Sequence, residues 1–287
     1  MASMVYVKGA QGPMVAKIQK IVGCGIDGVF GQVTEDHVRV YQAQHNLVVD
    51  GIVGEKTLTA MGLLNDCLNC FVTSQHFLPT SEYFRGPVPK NWIVWHHTAG
   101  WDNPYSVIDL WASDRRAKVG TEFVIGGQHP LTQSDKYDGE IVQAFPAGGY
   151  AWHTGTGMNE LHIQSVGIEL CNIGPVVNGK TYVHTDIAKQ QICTLDKAFR
   201  GTAQYQKYSD KQLQSLKTLT LQLADKYNID LHEGLYQWVK DKGAAGFDVV
   251  NQGYANKHKG LYTHTNLTLA KSDCFPQPEL IDLLLSL

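Results

Sequence analysis

Two kinds of apolar pattern divide the chain. The run Trp92-Ile93-Val94-Trp95 is uninterrupted by polar residues. So short a continuous stretch predicts a buried strand, which carries His96 and His97 to the rim of a sheet. Glu122 to Ile125 and Val166 to Leu170 read as further short strands. Leu213, Leu216, Leu219, Leu223 and Tyr227 instead share one helical face behind Ser209-Asp210-Lys211-Gln212, a capping-box start. Those leucines are core positions. Val15, Ile18 and Ile21 follow the same spacing, as do Val38, Tyr41 and Gln42. Between and after these two groups, Asp27-Gly28-Val29-Phe30-Gly31-Gln32-Val33-Thr34 recurs as Asp50-Gly51-Ile52-Val53-Gly54-Glu55-Lys56-Thr57. Each Asp-Gly supplies a tight turn, and the second glycine frees the backbone just before a helix begins. The pattern predicts a three-helix unit over residues 5–64.

Pro79, Gly86, Pro87 and Pro89 discourage regular structure, so residues 67–90 read as a linker between a unit at 1–66 and one at 91–287. The second unit mixes strands with helices, and its Gly-rich stretch Gly243 to Gly260 is expected to be a long surface loop.

Composition narrows the classes. At 287 residues, with 43% hydrophobic and 18% charged content, the chain suits a small domain plus a medium one. A net charge of −3 argues against a broad basic surface, so no nucleic-acid partner is expected. No stretch approaches the length of a membrane span, and Met1 to Gly9 holds no apolar signal core. The expectation is a chain made in a cytoplasm, not inserted in a membrane and acting as a monomer. Of the cysteines Cys24, Cys67, Cys70, Cys171, Cys193 and Cys274, most should stay reduced there; the lone Cys67-x-x-Cys70 is a weak metal signal, read as ordinary thiols.

The candidate chemistry lies in Trp95-His96-His97-Thr98-Ala99-Gly100 and in Thr263-His264, followed by Lys271-Ser272-Asp273-Cys274. Two histidines and one Asp or Cys would give a tetrahedral ion three protein ligands and an open fourth position. Strand alternation sends His96 and His97 to opposite faces, so only one reaches a given site; His97 is read as the structural one. A histidine taken alone is more often a satisfied polar residue than a ligand, and spacing leaves both readings open.

The two units resemble known families. Phe30, Gly31, Thr34, Tyr41, Gln42 and Val49-Asp50-Gly51 resemble the peptidoglycan-binding module of wall hydrolases. Ile93 to Gly100, Ala151-Trp152-His153-Thr154-Gly155, Asn159, Ser165 to Leu170, the helix at 209–228 and Lys271-Ser272-Asp273 resemble the zinc N-acetylmuramoyl-L-alanine amidases. That family includes phage lytic amidases and animal peptidoglycan recognition proteins. The resemblance implies an α/β fold with a mixed central sheet flanked by helices, peptidoglycan as partner and substrate, and Zn2+ as cofactor. It makes His96 and His264 zinc ligands, with Asp273 or Cys274 as the third. Glu169 is implied as acid–base group and Lys271 as oxyanion stabiliser. Trp152 and His153 are implied to line the substrate groove. Some phage relatives carry Tyr-His-Phe where this chain has Thr121-Glu122-Phe123; Thr121 would then only hydrogen-bond, with Glu122 or Glu169 supplying the acid.

The reading is a phage or prophage endolysin that collects in the host cytoplasm before acting on the wall. Two rivals are a non-catalytic recognition protein on the same fold, which predicts a broken ligand set, and a zinc peptidase, whose usual His-Glu-x-x-His helix is absent.

Overall fold

Helical spacing in the first unit yields α1 (Pro13–Val22), α2 (Gln32–Gln44) and α3 (Glu55–Ala60). The computed structural model describes residues 5–11, 13–63, 74–116, 118–157 and 159–287, so Cys67 and Cys70 lie outside the described residues. The chain divides into two units, Met1–Phe71 and Val72–Leu287.

Met14, Val15, Ile18, Phe30, Val38, Val53 and Leu58 form the core of the first unit. Ile21, expected on the buried face, is exposed, because the inward stripe of α1 passes through Ile18 to Val22. The repeat is also a repeat of polar contacts. The Gln19 amide donates to the Asp27 carboxylate at 2.7 Å, to the Val29 carbonyl and to the Thr34 hydroxyl, and its oxygen accepts from the Gly28 amide. Gln42 does the same with Asp50, Ile52, Thr57 and Gly51. Gly28 and Gly51 have φ of +72° and +74°, a backbone region that favours glycine. Each buried glutamine therefore closes one Asp-Gly turn onto the helix that follows it.

The second unit runs β1 (Ser74–Gln75), β2 (Trp92–His97), α4 (Pro104–Ala112), β3 (Phe123–Ile125), β4 (Ile141–Gln143), α5 (Glu160–Gln164) and β5 (Ser165–Leu170). Two hairpins follow, β6 (Val176–Val177) with β7 (Lys180–Thr181) and β8 (Ile192–Phe199) with β9 (Thr202–Gln206). The chain ends with α6 (Asp210–Tyr227), α7 (Leu235–Lys242), α8 (Gln252–Ala255), β10 (Leu261–Thr263), α9 (His264–Leu267) and α10 (Pro278–Leu285).

One six-stranded sheet has the order β1-β4-β3-β5-β2-β10, with β3 and β4 antiparallel and the other pairs parallel. This is the mixed central sheet that was expected. Helix α6 covers one face: Leu213, Leu216, Leu219 and Leu223 are buried, and Thr220 accepts from the Trp95 indole at 3.0 Å. Each such leucine contributes about 1.5–3 kcal/mol relative to exposure. On the other face, Val107 and Ile108 of α4 pack with Val124 and Val142, and Leu161, Ala255 and Leu267 pack with Trp92 and Val94.

Two expectations change. Residues 74–90 do not act merely as a linker: Ser74–Gln75 pairs with β4, and Leu78 and Tyr83 are buried in the sheet's core. Nor is Gly243 to Gly260 a loop. Gly243–Asp248 is a 3-10 helix, α8 follows it, and Phe247 and Ala255 are fully buried. The Asn266 amide holds this stretch by donating to the carbonyls of Gly246 and Val249.

Gln42→Ala or Gln19→Ala should each cost the first unit about 2–4 kcal/mol, because removing one buried amide breaks several hydrogen bonds at once. Residues 5–63 contain no tryptophan, so amide hydrogen exchange is the suitable measurement. A loss at one position with an effect under about 1 kcal/mol at the other would contradict the equivalence of the two copies.

Candidate metal centre

The register of β2 fixes the first two members of the site. His96 pairs laterally with Glu169 of β5, and Trp95 pairs with Thr263 of β10, after which His264 opens α9. The chain then returns, because the Thr265 amide donates to the Asp273 carbonyl at 3.0 Å. His96 Nδ1 lies 3.1 Å from His264 Nδ1, and Asp273 Oδ2 lies 3.0 Å from His264 Nδ1 and 3.3 Å from His96 Nδ1. Among the described residues these three form the only group of His, Cys, Asp and Glu side chains arranged to hold an ion.

Burial lowers the His96 pKa to about 4, against the pull of Asp273. Burial pushes the Asp273 carboxyl up, but His264 and His96 outweigh it and hold it well below the usual carboxylate range. Neutral imidazole and ionised carboxylate are the forms that bind metals.

A hydrogen-bond chain orients His96. The Ser165 hydroxyl donates to the His162 carbonyl at 3.2 Å, so its oxygen accepts from His153 Nε2 at 2.8 Å. His153 Nδ1 then accepts from His96 Nε2 at 3.0 Å, which leaves the lone pair of His96 Nδ1 directed at Asp273 and His264. Glycine at 167 is required here: a Cβ would lie 2.6 Å from the Thr121 methyl and 3.0 Å from His153 Nδ1. His97 points to the other face, where Nδ1 meets the Tyr208 hydroxyl at 2.7 Å beside Phe275.

These residues floor a cleft of about 560 Å³ walled by Trp111, Arg116, Thr121, Trp152, Glu169 and Lys271. The family model of N-acetylmuramoyl-L-alanine amidase matches residues 86–250, more than half of the chain. The chain belongs to that family. The amidase also carries a match to the peptidoglycan-binding domain model over residues 17–61. No curated protein matches it. Among solved structures it is similar to the endolysin amidase LysCS from Clostridium intestinale, with 15% identity, 75% of this chain and 96% of that one covered, and a TM-score of 0.42. An AmpD derivative gives 18% identity, 74% and 94% coverage and a TM-score of 0.40. PlyL gives 13%, 70% and 84%, and 0.39.

The other candidate residues surround these three donors in different ways. Cys274 is not among the three converging donors; it is buried beside the Tyr208 hydroxyl, and burial pushes its thiol up. His153 lines the cleft, yet both ring nitrogens are engaged by His96 and Ser165. Trp152 is half-buried in the wall, stacked on His162 at 4.4 Å. The Thr121 hydroxyl donates to the Phe123 carbonyl, so its proton is committed within the protein.

Glu122 leaves the cleft altogether. It precedes β3, accepts from the Gln143 amide at 3.3 Å, and has one oxygen without a partner. Burial raises its pKa from 4.5 to about 7, against the pull of Lys90 and Lys226. Sequence reasoning gave no role to Ser165, Tyr208 or Arg116; a serine starting a strand and an arginine in a turn offer no distinctive signal.

The Glu122 shift has a definite sign. The folded protein keeps this proton to about pH 7, whereas an ordinary carboxyl releases it near 4.5. The stability it contributes is complete below pH 4.5, declines between 4.5 and 7, and is lost above 7. Glu122→Gln should therefore flatten that slope and stabilise the amidase above pH 7 by up to about 3 kcal/mol, at 1.36 kcal/mol per unit. Denaturant unfolding of both proteins across pH 4–8 checks this; an unchanged slope contradicts it.

Proposed function

We propose that this amidase is zinc-dependent, with His96, His264 and Asp273 holding the ion and Glu169 and Lys271 acting on the substrate. The observation that supports this most is the spacing of the three donor atoms at 3.0–3.3 Å. Ligands bound at 2.0–2.1 Å around a tetrahedral ion stand about 3.3 Å apart. The acceptor atoms His96 Nδ1 and Asp273 Oδ2 face each other, an arrangement that a cation between them relieves. When bound, zinc lowers the pKa of water to about 7 and polarises a carbonyl.

The scissile amide joins the lactyl group of N-acetylmuramic acid to L-alanine. Its C–N bond breaks, water oxygen adds to the carbonyl carbon, and the departing nitrogen needs a proton. Glu169 is placed to deliver it: burial, with the nearby Asp273 charge, raises its carboxyl well above the ordinary value, which favours the proton-carrying form. It lines the cleft one strand from His96. Lys271, exposed at the cleft, offers positive charge to the carbonyl oxygen as that oxygen becomes negative. A non-catalytic recognition protein would need a broken donor set, and here all three donors are present.

The remaining parts of the reading concern delivery. The N-terminal unit would bind wall polymer and raise the enzyme's local concentration on it. We read the whole as a phage endolysin that acts on the wall after release from a host cytoplasm. No helix among the described residues is long and apolar enough to cross a membrane.

His96→Ala and Asp273→Ala should each abolish stoichiometric zinc and the release of new amino-terminal alanine from purified wall. Cys274→Ala should keep the metal; the opposite result for Asp273 and Cys274 would reassign the third ligand. Glu169→Gln should retain zinc but lower kcat by about 10²–10⁴, the span typical of general acid–base groups. An unaltered kcat would remove Glu169 from the reaction.

A further inference from the structure

The β8–β9 hairpin lies between the sheet's fifth strand and α6, and nothing in the reaction described above uses it. Its connection is two residues, Arg200-Gly201, with φ of +49° and +83°. Such tight hairpin turns favour asparagine or aspartate before glycine, because positive φ crowds Cβ against the following carbonyl and their short polar side chains offset this by bonding locally. Arginine is therefore an unfavourable choice for the turn itself.

Its side chain accounts for the choice. Nη1 donates to the Leu269 carbonyl at 2.8 Å and to the Thr268 carbonyl at 3.4 Å, and Nη2 donates to the Thr265 carbonyl at 3.0 Å. Nε pairs with Asp248 at 2.6 Å, and the side chain is only 11% exposed. All three carbonyls belong to the segment that leaves His264 and returns at Asp273. That segment also carries Lys271.

We propose that Arg200 is a positioning residue for the metal centre: its guanidinium gathers three backbone carbonyls and so fixes the spacing of His264 and Asp273. This rests on the zinc reading. The hairpin is thus a strap, and the strained turn is the cost of aiming a fork of N–H donors at the short helix α9 and the irregular chain that follows it. Without the guanidinium, three carbonyls and the Asp248 carboxylate would face one another around an unfilled positive position.

The test uses the full chain and measures zinc affinity by competition with a chromogenic chelator. Arg200→Asn suits the turn and deletes the clamp. It should weaken zinc binding about tenfold to a hundredfold, the range typical for outer-shell partners. Millimolar guanidinium chloride, but not sodium chloride, should restore part of the loss. Arg200→Lys keeps the charge without the fork and should fall between the two, which keeps the proposal testable if the asparagine variant does not fold. Unchanged affinity in Arg200→Lys and Arg200→Asn overturns the proposal. So does an equal loss of thermal stability in the metal-free and loaded forms with zinc affinity intact, the mark of a purely structural arginine. If the unaltered protein binds no zinc, the metal reading itself fails, and that result is distinct from either.

Discussion

The parallel ladder that seats β2 between β5 and β10 decides which atoms meet in the second unit. Its pairings place His96 beside Glu169 on one side and bring Thr263, with His264 behind it, along the other. Because side chains alternate along a strand, a slip of one residue would send His97 to the site and bury His96 against Phe275. Trp92 and Val94 on one face and Ile93 and Trp95 on the other are all fully or almost fully buried, so the same pairing also packs both layers of the core. Chemistry and core packing are thus set by a single choice of pairing.

The ladder alone does not make a site. It aligns two elements, and the third donor arrives on a loop. That loop is closed by the Thr265–Asp273 backbone bond, tied to the 246–249 turn through Asn266, and gripped by Arg200. Around His96 the support comes from the sheet itself: Gly167 leaves the space in which His153 reaches across to Ser165 and back to the imidazole. The two histidines are therefore set by the sheet, His96 within β2 and His264 directly after β10, while Asp273 is held on a strapped loop.

Sequence patterning foresaw the parts whose cause is local. Unbroken apolar residues at 92–95, one leucine face at 213–223 and the duplicated Asp-Gly turns each became the element expected. It did less well where the cause is distant. Gly243 to Gly260 is rich in glycine, yet Asn266 and the burial of Phe247 hold it as helical turns. Glu122 adjoins a cleft residue in sequence, but its side chain is buried beside Gln143. His153 reads like a groove residue until both its nitrogens are seen to be engaged. No periodicity announces that an arginine in a hairpin turn will reach carbonyls more than sixty positions away.

The adjacent histidines of β2 carry a consequence for how such an enzyme changes over generations. His96 belongs to the reacting side of the sheet, while His97 fastens the opposite side to Tyr208 and the carboxy-terminal region. A backbone shift that moves one of this pair therefore moves the other. Any change in the strand that alters the surroundings of the His96, His264 and Asp273 donors must also be tolerated by aromatic packing on the far face, so the freedom of that cluster to vary is limited by a layer on the side of the sheet away from the cleft.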